Sequence, residues 1–345
     1  MTTALSIPKA VVEPRLDELL TQFRGEWSAV EPQLTETIDL LESLVLSGGK
    51  RVRPAMAYWG FVGAGGDGKD PIIADIAAAL ELLQAFALFH DDVMDGSPTR
   101  RGAPTAHKVA EASHIAGEWS GESRRYGESV AILAGDVALV LSDVVLTNVN
   151  ADVRRLWNAL RVEVNLGQFL DVTGTARGAV SLATAERIVE FKTARYTIVR
   201  PLQMGAAAVG RTDLEDALGD IGTPLGVAFQ LRDDMLGAFG EAEITGKPVG
   251  DDLRDAKPTP LLARARDAAT PAQSEVLSLI GPDITEEQIS KVQAVLAETG
   301  AVDAIEAQID ELTAVALKTI QTSALASEAQ SQLTELATFL ASRSS

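Results

Sequence analysis

Apolar positions recur at three- and four-residue spacing through most of the chain, and no stretch shows the two-residue alternation of a half-buried strand. Leu16, Leu19, Leu20 and Phe23, then Ile38, Leu41, Leu44 and Val45, give residues 14–46 a helical stripe. SGGKRVRP interrupts it. Pro54 suits the first turn of the next helix, where its missing N–H matters least. GAGGDGKDP, residues 63–71, reads as a loop, and residues 72–95 as one long helix. Residues 96–128 are polar and rich in Gly, Ser and charge, an irregular excursion with room for a short helix. Helical spacing returns over 129–149, 152–174, 182–197, 199–210 and 213–239. After a loop, GEAEITGKPVGDDLRDAKPT, it resumes over 259–268, 271–280, 286–299, 301–321 and 325–341. No fixed-period repeat or low-complexity linker divides the chain. The pattern predicts one all-α domain over residues 1–345, with roughly a dozen helices.

Composition supports this. Hydrophobic residues make up 46% and aromatics only 5%, with alanine and leucine dominant, a mix that favours helices. The two greasiest runs are ADIAAALELLQAFALF and SVAILAGDVALVLSDVVL. Both contain charged residues and fall short of about 18 uninterrupted apolar positions, so they read as buried helices and not membrane spans. The net charge of −19 makes duplex nucleic acid or an anionic membrane surface a poor partner. An anionic small substrate would need local cations. The absence of cysteine excludes disulfides, thiolate metal sites and a cysteine nucleophile, and fits a cytoplasmic protein. MTTALSIPKAVVEP lacks the basic-then-apolar order of a secretory signal.

Charge then singles out one stretch. In LFHDDVMDGSPTRRGAPTAH, Asp91, Asp92 and Asp95 close a long apolar helix, and Arg100 and Arg101 follow. Asp91 and Asp95 are four apart, so they share a helix face one turn apart. Three crowded carboxylates need full solvation or cations between them. A hard divalent cation such as Mg²⁺ suits oxygen ligands and substrate phosphates. The three histidines, His90, His107 and His114, lack zinc-ligand spacing. A lone cluster of this kind is equally compatible with a solvated helix end.

A second acidic end, FQLRDDMLG with Asp233 and Asp234, lies about 140 residues on, again followed by cations, Lys247 and Lys257. Asp251 and Asp252 stand between those two lysines. Two such ends suggest a clamp that grips one diphosphate through bridging metal ions, with Arg and Lys on the remaining oxygens. GGKRVRP adds Lys50, Arg51 and Arg53 to a glycine-bearing turn. Neither this segment nor GEAEITGKP has the spacing, hydroxyl or preceding strand of a phosphate-binding P-loop, and no G-x-S-x-G elbow occurs.

In order along the chain stand GGKRVRP, ELLQAFALFHDDVMDGSPTRRGAPT, LAGD, KTA, FQLRDD and TGKPVGDDLRDAKPT. From about residue 40 to 265 the sequence thereby resembles the trans-isoprenyl diphosphate synthases, or polyprenyl synthetases. The resemblance implies an all-α bundle around a deep apolar cavity, usually as a homodimer. It implies three Mg²⁺ per active site, with Mn²⁺ a substitute. Matched by position, Asp91, Asp92, Asp95, Asp233 and Asp234 would be metal ligands. Arg100, Lys192, Lys247 and Lys257 would bind the allylic diphosphate. Lys50, Arg53, Arg101 and Gln84 would bind isopentenyl diphosphate, Gln84 standing where many relatives have histidine. Lys192, Thr193 and Gln230 would line the reacting centre. The implied chemistry ionises an allylic diphosphate (dimethylallyl, geranyl or farnesyl), adds isopentenyl diphosphate and releases a proton. No protein nucleophile is needed. Outside the resemblance, Lys192 and Thr193 read as helix surface and Gln230 as a core amide.

Gly237 departs from the family pattern, which commonly has aspartate there. A water, Asp251 or Asp252 is expected to fill the gap, so that activity survives. A regulatory subunit is the alternative. Phe86 and Ala87 lie five and four residues before Asp91, about 6–7.5 Å deeper along the helix. In the family, an aromatic followed by a small residue there resembles synthases making geranylgeranyl (C20) diphosphate. Phe86 would then floor the cavity. The alternatives are a farnesyl (C15) synthase and a class I terpene cyclase. The cyclase's N-x-x-x-S-x-x-x-E motif is absent.

Overall fold

A computed structural model describes residues 3–178, 180–240 and 250–342. The chain opens with α1 (Thr3–Ser28), which begins well before the predicted stripe and contains Pro8 and Pro14. Pro8 has no N–H to offer the carbonyl of Ala4, four residues back. The indole Nε1 of Trp59 donates to that carbonyl instead, at 2.7 Å. A break around Pro32 separates α1 from α2 (Leu34–Leu46), so residues 14–46 form parts of two helices. α3 (Val52–Gly63) and α4 (Pro71–Met94) follow. Asp70 caps α4 by accepting from the Ile72 N–H at 2.9 Å, and Pro71 occupies the first turn.

α4 is the axis of the bundle. It packs against α1, α2, α3, α6 (Ser123–Val145) and α9 (Arg200–Ala208). By length and composition α4 could cross a membrane, but 67% of its most apolar window is buried among those neighbours, as in a core helix. Ile73, Ile76, Leu80, Leu82 and Leu83 are fully buried. Its acidic end therefore stands on a rigid support.

The polar excursion is more ordered than the sequence suggested. Thr99–Arg100 and Ala103–Pro104 pair as a small antiparallel hairpin. Its two turn residues, Arg101 and Gly102, both have positive φ (53° and 77°), as a two-residue hairpin turn requires. α5 (Ala106–Ala116) follows, and α6 starts six residues before the predicted 129.

α7 (Ala151–Arg177) leads to a rod predicted as two helices. It is α8 (Leu182–Ile188), a π-helical segment (Val189–Val199) and α9, without a break. The remaining helices are α10 (Glu215–Phe239), α11 (Asp251–Arg254), α12 (Pro260–Ala268), α13 (Pro271–Leu277), α14 (Glu286–Glu298), α15 (Ala301–Thr322) and α16 (Ser327–Ala341). The π segment lies between α7 and α10 at van der Waals distance. A Cβ on Gly167 of α7 would fall 2.4 Å from the Lys192 nitrogen, and one on Gly226 of α10 would fall 2.6 Å from the Ala194 Cα.

Candidate active site

The end of α4, the end of α10, α7, the π segment and the loop after α11 converge on one polar cleft of roughly 210 Å³. Asp91, Asp95, Asp233, Asp234, Asp252, Arg100, Lys192, Thr193, Gln230 and Lys257 all line it. Two acidic helix ends about 140 residues apart in sequence thus face one space. Asp92 does not line it. It is 3% exposed and turned inward, where its Oδ1 accepts from the Arg100 Nε at 2.7 Å. Lys247 lies outside the described residues.

Lys192 Nζ lies 3.3 Å from Asp91 Oδ1 and is ion-paired with Asp171 of α7. Asp91 also accepts from Gln168 Nε2 at 3.1 Å and from Arg100 at 3.2 Å. Burial is the largest single influence on both Asp91 and Lys192 and opposes their charges, but the attractions of all their partners together outweigh it. Asp91 is thereby held below its ordinary value, helped by Arg100, and Lys192 above its own, helped by Asp171. Desolvation and then repulsion from Asp91 push Asp95 up to about 6. On the opposite wall Thr193 Oγ1 donates to Gln230 Oε1 at 2.7 Å, and Gln230 Nε2 donates to Asp234 Oδ1 at 2.7 Å. Asp234 Oδ2 is buried with no hydrogen-bond partner. Burial, then repulsion from Asp252, raises its carboxyl well above the ordinary range.

A second, apolar cavity of roughly 160 Å³ opens from the same residues. It is lined by Phe86, Ala87, Leu88 and Val164, and shares Asp91, Lys192 and Thr193 with the polar cleft. Arg53 and Gln84 reach it from the other side. The Arg53 guanidinium stacks 4.2 Å from the ring centroid of Tyr196, whose hydroxyl donates to Gln84 at 2.8 Å. Arg101 donates to the Gly48 carbonyl at 2.9 Å, which ties the hairpin to the glycine turn beside Lys50. Burial holds Arg101 below its ordinary value, and repulsion from Arg51, Arg100 and Arg53 adds to this.

A family model described as polyprenyl synthetase matches residues 35–299, most of the chain. The chain belongs to the polyprenyl synthetase family. It is 31% identical over 275 residues to the geranylfarnesyl diphosphate synthase of Aeropyrum pernix, covering 77% of this chain and 80% of that protein. It is 34% identical over 240 residues to the geranylgeranyl diphosphate synthase of Mycobacterium tuberculosis, covering 68% of this chain and 63% of that one. Its fold matches the crystal structure of geranylgeranyl pyrophosphate synthase from Corynebacterium glutamicum, complexed with isoprenyl diphosphate and magnesium. The TM-score is 0.93 and the identity 38%, with 99% of this chain and 100% of that one covered. This polyprenyl synthetase is accordingly an all-α prenyltransferase of a magnesium-dependent family.

The synthetase's donor set fits magnesium. The cleft's acidic walls offer carboxylate oxygens, neither histidine nor cysteine lines it, and a buried carboxylate oxygen of Asp234 awaits a partner. Among the described residues no three acidic, His or Cys side chains form a ready-made cage. That suits an ion held by one or two carboxylates plus substrate phosphates. The family's missing aspartate has a physical counterpart. A Cβ on Gly237 would lie 1.9 Å from Asp252 Oδ2, so the Asp252 carboxylate occupies the space a side chain at 237 would need. Asp252 is held there by Lys257 at 2.7 Å.

Sequence reasoning missed Gln168, Asp171 and Tyr196. The available signal was spacing. Gln168 and Asp171 are three apart on α7, and Tyr196 follows Lys192 by four. Arg51, grouped with Lys50 and Arg53 by sequence, is 5% exposed. It is engaged by Glu81 and by the Val45 carbonyl at 2.7 Å. It anchors the turn and does not face the cavity.

Proposed function

We propose that this enzyme extends an allylic diphosphate with isopentenyl diphosphate and releases geranylgeranyl diphosphate (C20), acting as a homodimer with three Mg²⁺ per site. One observation carries the reading. The polar cleft between the acidic helix ends opens, through Asp91, Lys192 and Thr193, into an apolar cavity that begins at Phe86 and Ala87.

Arg100, Lys192 and Lys257, with Lys247 from its motif, hold the allylic diphosphate in the cleft. Lys50, Arg53, Arg101 and Gln84 hold isopentenyl diphosphate at the far side. When bound at Asp91, Asp95, Asp233 and Asp234, magnesium supplies positive charge to the departing diphosphate. The allylic C–O bond breaks with its electron pair going to the diphosphate, whose new charge Lys192 and Arg100 offset. The Thr193–Gln230–Asp234 chain fixes the wall beside that carbon. Apolar Leu88 and Val164 keep water from the allylic cation. The double bond of isopentenyl diphosphate then forms the new C–C bond, and its lost proton passes to the released diphosphate.

The homodimer is supported by apolar side chains left exposed on two helices. Leu133, Val140 and Val144 on α6 and Val162, Leu166 and Phe169 on α7 are each more than half exposed. Such patches mark interaction surfaces. Asp143 links the helices, accepting from Trp157 at 2.8 Å and Arg161 at 2.6 Å.

The test is a product chromatogram with labelled isopentenyl diphosphate and dimethylallyl, geranyl or farnesyl starters. A dominant C20 product is expected from all three. Dominant C15 would assign a farnesyl synthase. Hydrocarbon or alcohol released from an allylic diphosphate alone would point to a cyclase, and no turnover to a subunit that needs a partner.

A further inference from the structure

His90 lies one residue before Asp91 on α4, yet neither the metal clamp nor the diphosphate sites use it. Its surroundings give it another task. Phe86 and His90 are four apart, so they share a face of α4. Their ring centroids lie 4.5 Å apart at 54°. The far side of the His90 ring is fixed by α6. Its Nε2 sits 3.2 Å from the Ile132 carbonyl and 3.4 Å from Asp136 Oδ1. Between them the α6 backbone presses directly on the ring, since a Cβ on Gly135 would fall 2.5 Å from His90 Cδ2. The imidazole is therefore held by three neighbours on α6, and the Phe86 ring packs against it at a tilt from its own helix. Phe86 and His90 both line the apolar cavity.

We propose that His90 is a positioning residue for chain length: clamped against Gly135, it locks the Phe86 ring across the cavity and so limits how far the prenyl tail can descend. The inference rests on the proposed condensation. Phe86 is the floor, and His90 acts only through it. Without the imidazole, the Phe86 ring can rotate into the vacated space and the floor opens.

The experiment compares product-length distributions from farnesyl diphosphate and labelled isopentenyl diphosphate for the wild type, Phe86→Ala, His90→Ala and the double variant. Ratios of products are read, so total turnover does not enter. Phe86→Ala and His90→Ala should each raise the fraction longer than the wild-type product at least fivefold. The double variant should match Phe86→Ala. His90→Leu fills the same volume without a planar ring or a polar hold, and it should lengthen products if His90→Ala fails to fold. A wild-type distribution in the His90 variants overturns the inference, as does a double variant longer than Phe86→Ala. If the wild type makes no condensation product, the functional reading itself fails, a distinct result.

Discussion

At the scale of single residues, the exchange between Gly237 and Asp252 is the most exposed to test. Gly237→Asp places a second carboxylate where Asp252 already stands. Two carboxylates in one pocket repel, and a side chain forced into filled space distorts its neighbours. We expect a loss of about 1–3 kcal/mol in urea unfolding. Gly237→Asp combined with Asp252→Gly should recover most of it. A single variant as stable as wild type would show that the space is free. Asp95 sets a pH dependence. The folded protein holds its proton more tightly than the unfolded chain, from the ordinary 3.8 up to about 6. The contribution of this group to metal-free stability therefore falls as pH rises between those values, with no further change above. Asp95→Asn should melt increasingly higher than wild type across that window. Magnesium binding should weaken below about pH 6, as protons compete for the carboxylate. The aspartates and Arg53 were legible because clustered charge stands out in this chain, whereas Lys192 and Gln230 were legible only through the family resemblance. The inward turn of Asp92 was not, since sequence spacing cannot tell which of two adjacent carboxylates the packing will bury and which it will leave facing the cleft.

At the scale of elements, helix identity was legible and helix entry was not. The apolar stripe marked α4, α7, α10, α14 and α15 to within a few residues, because each buries one broad face. α1 begins eleven residues before the stripe predicted from residue 14, and it carries Pro8 and Pro14 inside it. Trp59, far away in sequence, satisfies the carbonyl that Pro8 leaves without a donor. The π segment was split in two because a wider helix shifts the apolar stripe mid-run. Its place depends on two glycines. Gly167→Ala should push the backbone at Lys192 outward from α7. We expect a cost of about 1–3 kcal/mol in stability. The KM for the allylic diphosphate should also rise, as Lys192 loses register with Asp91. Gly25, exposed on α1 with open space around it and no positive φ, is the control whose change to alanine should leave that KM alone.

For the whole molecule, the exposed stripes of α6 and α7 predict association. Replacing both Leu133 and Phe169 by aspartate should convert a dimer to a monomer in sedimentation velocity at micromolar concentration. A wild type that sediments as a monomer would remove the proposal. Because α6 also carries Gly135 and the contacts to His90, the monomeric variant offers a check on whether the tunnel floor depends on assembly. The rod that joins α8 to α9 carries a cost that only the complete fold can sustain. An i→i+5 ladder accommodates an additional residue per turn relative to an ordinary helix. Excising one residue from Val189–Val199 would let the rod relax into regular winding, with a turn of about 100° between its two ends. The helix after the π segment is buried along nearly its whole length, so that turn would carry apolar side chains out of the core. The shortened chain should melt well below its parent, while its lysine swings off the cleft and capture of pyrophosphate is lost. One missing codon would then cost durability and chemistry together.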